Sequence, residues 1–419
     1  MMLVRTIMAS LPMRAIPRCC TRLHKGVVTA ASIGADEGES TFRTEVIVGR
    51  HSGELLSHND PILLMGSCFS ENIGEKLQHA KFDLVVNPFG ISYHPLPLAR
   101  SLDRLANPVP FTHSDLSIDL QDRFCSFEHH TRYSNADADL CLKQINADLE
   151  RGAAQLLKAK FLFLTLGTAW GYSHSREDGK EEGGDRLPGP VVANCHQMPH
   201  RSFVKWMVRP DQAAAALRSA TEACLRVNPS LQIVVTVSPV RHWRDGAIEN
   251  SRAKASLLLA VDELVGSSSS SRVTYFPSYE LVLDDLRDYR FFEQDMLHPS
   301  AAAIDYIFTK LKARYFDSDH DGKHDNGGQR NHKANKSATR TSGGGGLHGP
   351  AACAVKHFEA LHRAVAHRTL GASGSDAHVK FCTVQLKKIA DLEQTYPYVD
   401  LSTERNHFEA QLQQSQHGQ

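Results

Sequence analysis

The chain has 419 residues and balances 47 lysines and arginines against 47 aspartates and glutamates, so no net field draws it towards nucleic acid. Hydrophobic residues make up 41%, yet no apolar run approaches the roughly 20 residues needed to cross a bilayer, and a soluble globular protein with more than one domain is expected. Nine cysteines, an odd number without any Cys-x-x-Cys pair, argue against a disulfide scaffold and a zinc ribbon and for a reducing compartment.

The first 35 residues carry Arg5, Arg14, Arg18, Arg22 and Lys25, and the first acid is Asp36. A basic, acid-free start of this kind predicts a targeting leader with a mitochondrial address; the alternative is an irregular N-terminus on a cytoplasmic protein. The first strong pattern is Ile62-Leu-Leu-Met-Gly-Ser-Cys-Phe-Ser-Glu-Asn-Ile-Gly74. It predicts a strand over 61–66 that turns sharply into a helix over about 69–80, with Phe69, Ile73, Leu77 and Ala80 on the buried face.

A second short strand, Asp83–Val86, ends in Asn87-Pro-Phe-Gly-Ile-Ser-Tyr-His-Pro95, where Pro88 and Gly90 predict a turn whose backbone can approach a ligand closely. Pro97–Leu105 fits a short helix, and residues 107–140 are mixed and rich in His and aromatic side chains. A helix over about 141–159 leads into Phe161–Leu166, the continuous apolar run of a strand covered on both faces. That run ends in Gly167-Thr-Ala-Trp170; a charged, Gly-rich loop over 173–190 returns through Val191-Val-Ala-Asn-Cys-His196.

A helix over 210–226 precedes another buried strand, Leu231–Val237, which ends in Ser238-Pro-Val-Arg-His242. A helix over about 247–265, a flexible joint at Ser267–Ser271 and a last strand near Val273–Phe276 lead to Asp295-Met-Leu-His-Pro299. Pro299 suits the first position of a helix whose buried stripe is Ile304, Ile307, Phe308 and Leu311. Residues 40–60 look irregular or weakly extended, and alternating strand and helix over about 61–315 predicts a doubly wound parallel α/β domain within 45–315.

From Asp317 to Gly346 there is no large apolar residue, which predicts a disordered His/Gly/Asn-rich linker over about 316–350. It opens like a calcium loop, Asp317-x-Asp319-x-Asp321-Gly322, but Gly328 stands where such a loop needs a bidentate Glu, so calcium is set aside. Helices marked by Val355, Phe358, Leu361 and Val365, and by Val379, Cys382, Leu386, Ile389 and Leu392, are expected over 351–404 and to pack back on the α/β domain. Residues 405–419 are expected to be a disordered tail.

Every strand ends in a motif, and in an open α/β sheet the carboxyl edge is where ligands bind. Ser67-Cys68 stands at the mouth of the first helix, where free N–H groups stabilise a thiolate or a developing oxyanion. The plainer alternative makes Ser67 a helix cap and Cys68 a small buried apolar residue. His298, three residues after Asp295, is the best general base in the chain, and a nucleophile needs such a base with a carboxylate to fix its tautomer.

Arg241 and His242 suit an anionic part of a substrate, or pair with Asp245 or Glu249. Asn194-Cys195-His196 orients substrate or bonds within its own loop. The spacings among His129, His130, Cys195, His196, His242 and His298 match no metal pattern, and neither metal nor cofactor is expected.

Gly66-Ser-Cys-Phe-Ser70 and Asn87-Pro-Phe-Gly90 resemble motifs of the GSCFA family. So do Leu166-Gly-Thr-Ala-Trp170, Val192–His196, Ser238–His242, Tyr275-Phe-Pro-Ser-Tyr279, Leu286–Phe291 and Asp295–Pro299. The resemblance covers about 45–315 and resumes near 366–404, so the linker looks like an insertion. That family is similar in turn to the SGNH (GDSL-type) hydrolases, esterases, lipases and O-acyltransferases with a flavodoxin-like doubly wound sheet.

The resemblance implies Cys68, rather than Ser67, as the nucleophile, Asp295 and His298 as acid and base, and Gly90 as a backbone donor to the oxyanion. The Asn that the superfamily adds to the oxyanion hole is replaced by Ala169, leaving Thr168 or Asn194 as substitutes. A Cys-His-Asp centre for acyl transfer or ester hydrolysis on a small-molecule or carbohydrate ester is therefore expected. The rivals are a non-catalytic module of the same fold that binds a carbohydrate or protein, and a metal-dependent hydrolase.

Overall fold

The computed structural model describes residues 45–174, 190–267, 272–317, 351–367 and 376–417. The leader over 1–35, most of the Gly-rich loop, the serine joint and nearly all of the His/Gly/Asn-rich linker lie outside the described residues.

The chain opens with β1 (Ile62–Gly66), α1 (Cys68–His79), β2 (Leu84–Val86) and α2 (Pro95–Ala106). Two short strands, β3 (Ser117–Ile118) and β4 (Phe124–Cys125), then lead to α3 (Ala138–Lys158) and β5 (Phe161–Leu166). β6 (Trp170–His174), β7 (Phe203–Met207), α4 (Pro210–Val227), β8 (Gln232–Val237), α5 (Gly246–Ser267) and β9 (Val273–Tyr275) follow. The domain closes with α6 (Ser278–Glu280), which runs into a π-helical turn, and α7 (Ala301–Tyr315).

Five strands form one parallel sheet in the order β2-β1-β5-β8-β9. Renumbered along the sheet this is 2-1-3-4-5, the flavodoxin-like doubly wound order. The central strands are apolar throughout because both faces are covered. Ile62, Leu64, Phe161, Phe163 and Val234 pack on one face with Phe69, Ile73 and Leu77 of α1 and Ile307, Phe308 and Leu311 of α7. Leu63, Met65, Leu162, Leu164, Leu166, Ile233 and Val235 face the other way, onto α2, α3, α4 and α5. The period-two alternation of each strand thus feeds two separate cores.

The chain leaves β1 towards β2 and returns on the opposite side as β5, so the crevice at the switch point opens between the ends of β1 and β5. Gly66, the last residue of β1, has φ +133° and lies so close to β5 that an added Cβ would overlap Thr165 O. Gly66→Ala should therefore destabilise the domain by about 3 kcal/mol or more, combining a forbidden backbone angle with a backbone clash. Urea denaturation of the full-length protein measures it.

Two expectations fail here. Pro299 does not open α7: Ser300 is the cap, its Oγ accepting from Ala303 N–H at 3.4 Å. Pro299 instead bridges to Phe292, closing a loop in which Glu293 N–H donates to His298 O at 2.7 Å and Ser300 N–H to Phe291 O at 2.8 Å. Residues 405–417 are not irregular either, since α10 (Ser402–His417) runs through them, after α8 (Ala351–Ala366) and α9 (Asp376–Thr395). Phe408 is fully buried among Phe358, Leu361, Cys382, Ile389 and Tyr396, a third core that a polar helix completes with one aromatic ring.

This helical unit sits on the far end of α1. Ala351 and Val355 join the core beneath α1 and α7. His58 bridges Tyr398 OH at 2.8 Å and Ala80 O at 2.7 Å, and Lys81 pairs with Glu404 at 2.6 Å. Among the described residues no helix is long and apolar enough to cross a membrane.

Candidate active site

Cys68 is the first residue of α1 and is half-buried above the carboxyl end of β1. Ser67 is the helix cap, 0% exposed, its Oγ accepting from Phe69 N–H at 3.3 Å. The helix start draws the Cys68 sulfur towards the thiolate, through its own N–H and that of Phe69, and Lys254 pulls the same way. Burial, and next the Glu71 carboxylate, outweigh these and push the thiol above its ordinary value. Tyr93, close enough to feel both Cys68 and Glu71, is pushed up to about 12, mainly by burial.

Asp295 and His298 stand together on the loop before α7. Asp295 Oδ1 accepts from the N–H groups of Leu297 and His298 at 2.8 and 3.0 Å, and its Oδ2 bonds His298 Nδ1 at 2.6 Å. These contacts, led by the backbone N–H of His298, hold the Asp295 carboxyl down at about 2. Both side chains remain open to solvent, 44% and 46% exposed. Arg241 N–H donates to Leu297 O at 3.1 Å, which ties this loop to the segment beyond β8. Among the described residues no hydrogen bond joins His298 to Cys68.

His242 links the two groups. Its ring meets Tyr93 edge-on at 5.2 Å, and a Cβ on Gly167 would lie 3.1 Å from its Nε2. That nitrogen is buried without a partner. Burial, then Lys254, lower His242 to about 4, and His298 acts in the same direction. Arg241 lays its guanidinium 4.5 Å over Phe292 and 5.3 Å over Tyr289. It pairs with neither Asp245 nor Glu249.

Of the expected oxyanion donors, the Gly90 N–H is engaged elsewhere, while the side chains of Thr168 and Asn194 are held through their acceptor oxygens. Gly90 has φ +78° and sits under His130, where an added Cβ would overlap. Its N–H donates to Asn87 O at 2.7 Å. Thr168 N–H donates to Tyr93 O at 3.1 Å, and its Oγ1 accepts from Trp170 N–H at 3.1 Å. Asn194 Oδ1 accepts from His196 N–H at 2.8 Å and Thr131 Oγ1 at 3.2 Å, which makes it a brace between two rim loops. Among the described residues no three His, Cys, Asp or Glu converge as metal ligands. His129 stacks on Phe89 at 4.9 Å, and His196 bonds Ser126 O at 2.8 Å.

One residue of the crevice escaped sequence reasoning. Lys254, on α5, is 1% exposed, and its Nζ donates to Gly167 O at 2.6 Å and Ser238 O at 2.7 Å, the ends of β5 and β8. The signal was a lysine within the apolar stripe of Ala253, Leu257, Ala260, Val261 and Leu264. Burial lowers it to about 7, with Cys68 opposing. The unfolded chain therefore holds more protons from about pH 7 up to lysine's ordinary value, and stability rises with pH through that window. Denaturation across a pH series should show this slope in the wild type, and Lys254→Met should flatten it.

No curated protein matches the chain. Among solved structures it is similar to an acetyl xylan esterase, Est2A, from the rumen bacterium Butyrivibrio proteoclasticus. The identity is 10% and the TM-score 0.31, over 61% of this chain and 62% of that one, so the chain spans a little under two thirds of that structure. A model of the GSCFA family matches residues 61–311, and one described as GSCFA domain protein, C-terminal domain, matches 358–414. The first match alone takes in the whole parallel sheet and most of α7, more than half the sequence: the chain belongs to the GSCFA family.

Proposed function

We propose that this protein is an acyl-transfer enzyme, an esterase-type hydrolase or an O-acyltransferase acting on a small-molecule or carbohydrate ester. Cys68 is the nucleophile, His298 the general base and Asp295 the carboxylate that orients it. The observation that carries the reading is the 2.6 Å bond from His298 Nδ1 to Asp295 Oδ2, which leaves Nε2 available to take a proton. It stands on a loop fastened beyond β8, at the same sheet edge as the half-buried sulfur at the start of α1.

In this mechanism the Cys68 S–H proton passes to His298 Nε2 as Sγ attacks the ester carbonyl. The N–H of Cys68, at the helix start, supports the oxyanion. The leaving alcohol takes the proton back from His298, and the acyl group stays on sulfur as a thioester. Water or a second hydroxyl then accepts it. Nucleophile and base come within reach with substrate bound, since catalytic hydrogen bonds tighten in the complex.

A non-catalytic binding module is favoured by one observation, the thiol pushed up rather than down. Incubation of the full chain with aryl-ester and thioester acyl donors, followed by mass spectrometry of the Cys68 peptide, separates the two. An adduct on Cys68 that turns over with water or an added alcohol supports the enzyme. No adduct with any donor, together with saturable binding of an unmodified oligosaccharide, would replace it with the binding module.

A further inference from the structure

β1 and β5 run parallel with Gly66 opposite Thr165, and Ser67 N–H donates to Thr165 O at 3.1 Å. The register ends there, because the chain turns at Ser67 into α1, so Cys68 stands at the carboxyl end of β1 next to the carboxyl end of β5, where Gly167 follows. Gly167 O is one of the two carbonyls that hold Lys254 Nζ, at 2.6 Å, and Ser238 O is the other, at 2.7 Å. The amine thus lies under the floor of the crevice, pinned to the ends of two strands.

A lysine in this position is expensive. It occupies a core site on α5, and among the described residues no carboxylate pairs with it. The Tyr279 ring lies 5.8 Å away. A neutral amine already has the two N–H groups that the two carbonyls require, so the third proton is free to come and go with the local charge. The groups facing the sulfur are Glu71 on α1, Tyr93 beside β1, and Lys254. His242 faces Lys254 and His298, with Asp245 near it, and burial keeps it neutral. The positive charge at the floor is therefore that of Lys254.

We infer that Lys254 is a positioning residue for the acyl-transfer chemistry: fixed by the Gly167 and Ser238 carbonyls, its ammonium is the counter-charge of the Cys68 thiolate. The inference rests on Cys68 as the nucleophile and names what stabilises the charge on its sulfur. The thiol proton still goes to His298; Lys254 keeps or takes from solvent its third proton as the sulfur ionises. The two groups titrate as a linked pair, and Glu71 at the mouth opposes them.

The test is the rate of Cys68 alkylation by iodoacetamide in the full-length protein, followed on the Cys68 peptide between about pH 5.5 and 9.5. The wild-type profile should depart from a single ionisation. Lys254→Met should raise the midpoint by about one pH unit and slow alkylation at neutral pH about tenfold. Lys254→Gln, which keeps N–H donors without the charge, should match the Met variant, and Glu71→Gln should move the midpoint down.

Profiles of the folded Met and Gln variants that superimpose on the wild type would overturn the inference. If neither variant folds, a wild-type profile with one ionisation at or above the free-thiol value overturns it. A profile that moves in a protein unable to transfer acyl groups keeps the linkage and removes the enzymatic reading. Acyl transfer with an unmoved profile does the reverse.

Discussion

Cys68→Ala abolishes covalent labelling by an acyl donor, whereas Ser67→Ala retains the label and loses about 1 kcal/mol of stability. The contrast follows from two adjacent positions with opposite surroundings. Ser67 is fully buried and its oxygen is occupied as the cap of α1. Cys68 is half-buried at the helix start, its sulfur a free thiol that faces the N–H groups of the first turn. The measurement is labelling stoichiometry by intact mass alongside a urea midpoint for each variant. Label kept in Cys68→Ala and lost in Ser67→Ala would transfer the nucleophile to the serine.

His298→Ala lowers the acylation rate by a factor of about 100 to 10,000, the usual contribution of a positioned general base. Asp295→Asn lowers it as well, because an amide no longer orients the imidazole through a charged acceptor. Neither change should alter thermal stability much, since both side chains stand in solvent on a loop closed by backbone hydrogen bonds. With its carboxyl held at about 2, Asp295 is ionised wherever enzymes are assayed. Its stabilising effect is complete above the ordinary carboxylate value and is lost only as pH falls through about 2. The acid limb of a rate profile therefore belongs to another group. Single-turnover acylation at saturating donor checks both variants; unchanged rates would remove this pair from the mechanism.

The parallel sheet was legible because strands covered on both faces leave long apolar runs, as in Phe161–Leu166 and Gln232–Val237. The β6–β7 hairpin was not: Trp170-Gly-Tyr-Ser-His174 is short, mixed in polarity, and pairs with a strand some 30 residues on. α10 was hidden for a related reason, since Phe408 and Leu412 make too thin a stripe to mark a helix without the core that receives them. In the crevice, residue types were enough to propose Cys68, Asp295 and His298. Nothing in the order of residues says that Gly90 N–H turns back to Asn87 or that Lys254 reaches two carbonyls. Those are consequences of where the chain closes in space.

The helix that carries the sulfur is gripped at its opposite end. α1 has 12 residues, about 18 Å from Cys68 to the point where His58, Tyr398, Lys81 and Glu404 clamp it to the C-terminal helices. A rigid rod anchored at its tail aims its tip, so a lesion in the C-terminal unit, well outside the crevice, would let the thiol wander while every group around it stayed intact.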